Sequence, residues 1–183
     1  MNWDLEILKV GGFRGETFLT WRGRVRSYYN LTGLQLTDCD KCWRIPSLGQ
    51  LPALKSLTIG ALQSVVSLGS EFFKAEYCAS PVPFPSLESL YFDQMTSWRE
   101  WSSIDTEAFP KLHTLRLSDC PRLVGTLPPQ LVSLEFMQIS GSPLLASLIP
   151  KCPKIHTLII YESENVVLQE QDLLSPSLRI LEI

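Results

Sequence analysis

One short phrase recurs along this chain and limits what the chain can fold into. It runs Leu, two residues, Leu, one residue, then Leu or Ile, and a Cys closes its two strongest copies, NLTGLQLTDC at Asn30–Cys39 and KLHTLRLSDC at Lys111–Cys120. Weaker copies are LEILKV at Leu5–Val10, LKSLTI at Leu54–Ile59, LESLYF at Leu87–Phe92, LEFMQI at Leu134–Ile139, IHTLII at Ile155–Ile160 and LRILEI at Leu178–Ile183. Their first residues lie about 21 to 33 positions apart. Apolar residues alternate with others at period two, the pattern of a half-buried strand. A single unit of this kind cannot bury its own apolar face, so the units must stack on one another.

A repeat of this length with this Leu spacing is a leucine-rich repeat. The predicted fold is an α/β solenoid: an irregular arc with a parallel β-sheet on its concave face and mostly loops or short turns on its convex face. In KLHTLRLSDC the inward set is Leu112, Leu115, Leu117 and Cys120, and the outward set is Thr114, Arg116 and Ser118. Leu8, Leu34, Leu57, Leu90, Leu115, Met137, Leu158 and Leu181 should all point inward. Stacking should align the middle outward positions into a ladder: Lys9, Gln35, Thr58, Tyr91, Arg116, Gln138, Ile159 and Glu182. With Asp93 and Tyr161 these residues form the candidate concave binding face. The inward positions are nearly uniform and the ladder is not, as expected of a packing scaffold with a specific surface.

The returns between strands are uneven. Glu71–Tyr77 has room for one or two helical turns, and three Pro in 79–85 enforce extended or turned backbone. Trp98 and Trp101, three apart, are placed on one face of a helical turn that covers the convex side of the core. Both ends of the chain fall inside a repeat phrase without the polar cap a free solenoid needs. The expectation is therefore one domain over residues 1–183, about eight repeats, uncapped at both ends and part of a longer protein.

Hydrophobic residues make up 45% and charged residues 19%, which excludes general disorder. A net charge of −3 is unsuited to electrostatic nucleic-acid binding. No apolar run approaches the ~18 residues of a membrane span, and the first residues do not have the form of a secretory signal. Arg14, Arg22, Arg24 and Arg26 form a candidate basic patch, read first as a solvated loop and second as a contact for an acidic partner. Glu162, Glu164, Glu170 and Asp172 make the other end acidic.

Enzymatic readings are weak. Cys39 and Cys42 form a C-x-x-C, but zinc needs two more ligands at matching spacing, and Cys78, Cys120, Cys152, His113 and His156 are singletons in different repeats. The two His occupy equivalent repeat positions, so they recur along a surface rather than converge on a site. Gly11, Gly12 and Gly15 are too short a run for a phosphate loop and are followed by no Lys. No catalytic, metal or cofactor residues are assigned. The five Cys, an odd number, point to a reducing compartment.

Three segments go beyond a generic repeat: CWRIPSLGQLPALKSLTI at Cys42–Ile59, FPSLESLYFDQMTSWREW at Phe84–Trp101 and FPKLHTLRLSDCPRLVGTLPPQLVSLEF at Phe109–Phe136. In content and order they resemble the leucine-rich repeats of plant intracellular disease-resistance proteins of the nucleotide-binding, coiled-coil class. Ile45 stands where that family usually has Leu, and Phe13–Tyr29 matches its first return only loosely. The resemblance implies a cytoplasmic module of innate immunity. Its partners would be a pathogen effector or a guarded host protein and, within the same polypeptide, a nucleotide-binding domain that it holds closed. ADP or ATP would belong to that upstream domain, and no cofactor to this chain. The alternatives are a segment of an extracellular plant leucine-rich-repeat receptor, which LVGTLPPQL at Leu123–Leu131 resembles, and a non-immune protein-binding scaffold. The receptor class usually closes each strand turn with Asn. Here those positions are Phe13, Cys39, Leu62, Met95, Cys120, Ser142 and Ser163.

Overall fold

The computed structural model describes residues 4–18, 28–73, 82–101, 108–170 and 175–183. Each repeat phrase forms a short strand: β1 (Ile7–Gly11), β2 (Gly33–Thr37), β3 (Ser56–Gly60), β5 (Ser89–Asp93), β7 (Thr114–Ser118), β8 (Phe136–Ser140), β9 (Thr157–Tyr161) and β10 (Ile180–Glu182). They pair in chain order into one eight-stranded parallel sheet, so the chain is a parallel-strand solenoid.

The inward residues are the core. Leu34, Leu57, Leu90, Leu115, Met137 and Leu158 are all buried, as are Leu36, Ile59, Phe92, Leu117, Ile139 and Ile160 one step along. The two end strands differ from the others. Leu8 is only half-buried and Leu181 is 38% exposed. Each points inward as the period predicts, but β1 and β10 have a neighbour on one side only, and burial in a solenoid comes from neighbours on both sides.

Two junctions recur from repeat to repeat, and a third is made where the closing residue is Cys or Ser. At the start of a strand, one carbonyl accepts two N–H groups from the next repeat: Glu88 O takes those of His113 and Thr114, and His113 O takes those of Glu135 and Phe136. At the end of a strand, a residue with positive φ turns the chain: Gly12, Asp38, Ala61, Gln94, Asp119, Gly141 and Glu162. The N–H groups of all of these but Glu162 bond to the neighbouring repeat, as in Asp38 to Gly60 O at 3.2 Å and Gln94 to Ser118 O at 2.9 Å. This extends the ladder by one rung.

The next residue closes the turn, and its side chain replaces the Asn of other repeat classes. Cys39 and Cys120 donate their S–H to Thr37 O at 3.1 Å and Ser118 O at 3.5 Å. Ser142 and Ser163 donate their hydroxyls to Ser140 O at 3.3 Å and Tyr161 O at 2.9 Å. The same atoms accept a backbone N–H from the preceding repeat: Phe13 to Cys39, Met95 to Cys120, and Ser142 to Ser163 at 3.1 Å. A buried backbone donor left unmatched is costly, and a small polarisable or hydroxyl side chain satisfies it without leaving the core.

The convex side carries two further short strands, β4 (Ser67–Leu68) and β6 (Glu100–Trp101), paired with each other, and one helical turn, α1 (Ser70–Phe73). Trp101 therefore lies in a strand rather than in the expected helical turn. The rings of Trp98 and Trp101 still meet, at 5.5 Å, and both are buried, with Phe92 4.7 Å from Trp98. The Trp98 indole N–H donates to Glu100 O at 2.8 Å, which holds the extended path. Pairing with β4 supplies the backbone bonds that a helical turn would have made internally.

The longest return is filled by aromatic rings. Phe72 and Phe73 of α1 meet Phe84, at 5.2 and 6.1 Å, and Phe84 stacks on Phe109 at 5.1 Å. Phe84 and Phe109 both sit at positive φ, 53° and 62°, an uncommon conformation for a bulky residue. Both rings are fully buried, and that burial offsets the strain. Gly49 belongs to the same cluster. A Cβ there would lie 2.1 Å from the Phe73 carbonyl oxygen, so only Gly allows the two segments to meet.

Candidate protein-recognition face

The sheet aligns the expected ladder in register. Lys9 pairs with Gln35, Gln35 with Thr58, Thr58 with Tyr91, Tyr91 with Arg116, Arg116 with Gln138, Gln138 with Ile159, and Ile159 with Glu182. Residues up to 173 positions apart in sequence thus form one row across one face. Lys9, Arg116 and Glu182 are exposed and the other five are half-buried by their neighbours. Asp93 and Tyr161 stand in the parallel row at the ends of the strands, and both are exposed.

The middle of this face is built around Arg116. Its guanidinium lies 5.8 Å from the centre of the Tyr91 ring and 4.7 Å from that of Phe136. Two aromatic faces hold the cation while its N–H groups stay available. Phe136 was missed in reading the sequence because the first outward column was not singled out. It is the first outward residue of LEFMQI, beside Thr114 across the strands, and the same alternation that yields Arg116 also yields it.

Other charges lie at the strand ends. Asp93 is held above the ordinary carboxylate range, first by partial desolvation and then by the Asp119 carboxylate. Asp119, Pro121, Gly141, Pro143, Glu162 and Glu164 line an open groove along this margin. The Tyr161 hydroxyl donates to a Glu182 carboxylate oxygen at 2.6 Å, which raises its pKa. At the strand starts, Lys55 and Glu88 form an ion pair at 3.3 Å. His113 and His156 are exposed in this row with Glu135 between them. Arg14 is exposed. Arg22, Arg24 and Arg26 lie outside the described residues, as do Cys78 and Asp172.

The cysteines serve packing. Cys39 and Cys42 are fully buried free thiols, and Cys42 donates to Gly15 O at 3.0 Å. Burial pushes the thiols up, Cys42 to about 11 and Cys120 to about 12. Among the described residues no group of three His, Cys, Asp or Glu is arranged to hold a metal ion. Gly11 is the last residue of β1 and Gly12 the turn after it, so this stretch is a strand end and not a phosphate cradle. No helix among the described residues is long and apolar enough to cross a membrane.

Comparison with known proteins agrees with this architecture. The model of a repeat family described as R13L1/DRL21 LRRs matches residues 2–62. A putative disease resistance RPP13-like protein 1 from Arabidopsis thaliana is 35% identical over 147 residues, which cover 77% of this chain. This chain is a leucine-rich-repeat segment of the plant disease-resistance type. The putative disease resistance protein At3g14460, also from Arabidopsis thaliana, is 35% identical over 144 residues, or 78% of the chain. The putative disease resistance protein RGA1 of Solanum bulbocastanum is 25% identical over 137 residues, or 74%. The chain spans 14%, 10% and 13% of the lengths of these three relatives. No solved structure gives a significant match.

Proposed function

We propose that these disease-resistance repeats are the recognition and regulatory segment of a cytoplasmic plant immune receptor. The sheet face binds a pathogen effector or a guarded host protein, and the solenoid restrains a nucleotide-binding switch elsewhere in the same polypeptide. The observation that carries this reading is the contrast between the two sides of one sheet. The inward rows are nearly uniform in Leu, Ile, Met and Phe, while the outward row in strict register varies from Lys to Tyr, Arg, Ile and Glu. Packing dictates the first and has no hold on the second. Names of relatives as disease resistance proteins supply the biological setting.

The switch follows from linkage. A partner that binds better to the open receptor moves the population toward signalling, by no more than its difference in affinity for the two states. Nucleotide would be held by the upstream domain, since Gly11 and Gly12 form a strand end and a turn rather than a phosphate cradle. Buried free thiols at Cys39, Cys42 and Cys120 suit a reducing compartment. A closing column of Phe13, Cys39, Leu62, Met95, Cys120, Ser142 and Ser163, none of them Asn, favours this class over the extracellular receptors, which usually carry Asn there.

The test is the double variant Tyr91→Ala with Arg116→Ala in the full-length protein. The expected result is loss of elicited cell death, or cell death without elicitor if the same face grips the switch domain, with normal protein accumulation. Unchanged recognition and unchanged autoactivity at normal accumulation would contradict the proposal.

A further inference from the structure

The recognition role of the sheet face, on which this inference rests, extends to the chemistry of the partner. Arg116 carries a full charge in the middle of the sheet, and among the described residues it makes no ion pair. Among the described residues its contacts are with the rings of Tyr91 and Phe136, which hold the guanidinium in place and leave its donors unspent. A guanidinium held this way loses little further freedom on binding and presents a fork that matches a carboxylate. Two residues along the neighbouring strand, about 8 Å away on the diagonal set by strand rise and strand spacing, stands Asp93, with Asp119 at its side. Asp93 and Asp119 are both exposed, and the Asp119 carboxylate disfavours the charge on Asp93. The face therefore offers a cation and a pair of carboxylates about 8 Å apart, within reach of side chains at i and i+2 on one side of an extended chain.

We propose that the partner is a protein segment in extended conformation that places an Asp or Glu on Arg116 and a Lys or Arg two residues away on Asp93 and Asp119. The Phe136 ring and Ile159, two strands from Arg116 along the ladder, give apolar footing on the far side of the cation. A phosphorylated residue fits less well. Phosphate carries up to two charges and draws on several donors. The next cation of the ladder, Lys9, is four strands away, about 19 Å at ordinary strand spacing.

The test uses the full 183-residue chain as bait for a displayed library of random linear peptides. The expected peptides carry an acidic and a basic residue in i, i+2 relation. Their affinity should fall about tenfold or more in Arg116→Gln, a charge-assisted bidentate contact being lost. Arg116→Lys should also weaken them, because ammonium neither stacks nor forks. Asp93→Asn should weaken them several-fold, and exchange of the acidic residue for a basic one should restore binding to Arg116→Glu. Phe136→Leu should weaken binding without lowering the melting temperature. Peptides that lack the acidic residue but lose affinity on Thr58→Ala or Gln138→Ala would overturn this inference and leave the recognition face standing. Peptides unaffected by any sheet-face variant, or recovery of no acidic binder, would overturn it as well. Loss of binding only in the convex-side variant Trp43→Ala would sink both readings.

Discussion

Ala61 holds φ at +51°, a left-handed conformation in which its Cβ crowds the backbone. Gly12 and Gly141 do the same work at equivalent turns without that crowding. Ala61→Gly should therefore raise stability by about 0.5–1 kcal/mol in chemical denaturation, relief of strain outweighing the added freedom of the unfolded chain. Gly49→Ala should do the reverse and abolish cooperative melting, since its Cβ would lie 2.1 Å from a backbone oxygen. Asp93 gives a signed pH effect. Its pKa is raised in the folded chain, so its charge opposes folding above that pKa and the penalty fades as pH falls and the carboxyl protonates. Asp93→Asn should melt higher than wild type at pH 7, and the gap should close below about pH 4, the ordinary Asp range. Cys120 was legible in the sequence as an inward residue of its repeat, and Cys39 as its equivalent. Their second role, accepting an N–H from the preceding repeat, was not, because it depends on how adjacent turns stack. With Cys120 pushed up to about 12, the native chain should resist thiol alkylation at Cys39, Cys42 and Cys120 until it is unfolded.

At the scale of the strand, alternation was enough. Leu115 and Arg116 are adjacent in sequence and lie on opposite sides of β7, one fully buried and one exposed. Leu115→Ala should cost about 2–5 kcal/mol, and Arg116→Ala under about 0.5 kcal/mol, measured by thermal or denaturant melts. Equal losses would contradict the two-sided sheet. The register came from the same pattern, since a slip of one residue would turn every Leu outward. What alternation could not supply is the shape of the returns. Trp98 and Trp101 at spacing three fit a helical turn equally well, and the choice fell to β4, thirty-odd residues upstream, which offers Trp101 a partner strand. Phe84 and Phe109 at positive φ were invisible for the same reason: their conformation is set by ring stacking across repeats rather than by neighbours in sequence.

Across the whole molecule, a nearly uniform interior supports a row of unlike side chains, and recognition is proposed for that row. The ladder from Lys9 to Glu182 was readable because each phrase contributes one residue at a known place. The clamp on Arg116 was only half readable, since Tyr91 lies in the ladder and Phe136 in the column beside it. The most direct measurement is side-chain footprinting by hydroxyl radicals on the full-length protein, with and without the elicitor that the proposed function requires. Tyr91, Phe136 and Tyr161 should become protected from oxidation when the elicitor binds, while Trp43, 53% exposed on the opposite side, should react as before. Protection of Trp43 with no change at Tyr91 and Phe136 would contradict the assignment of recognition to the sheet face.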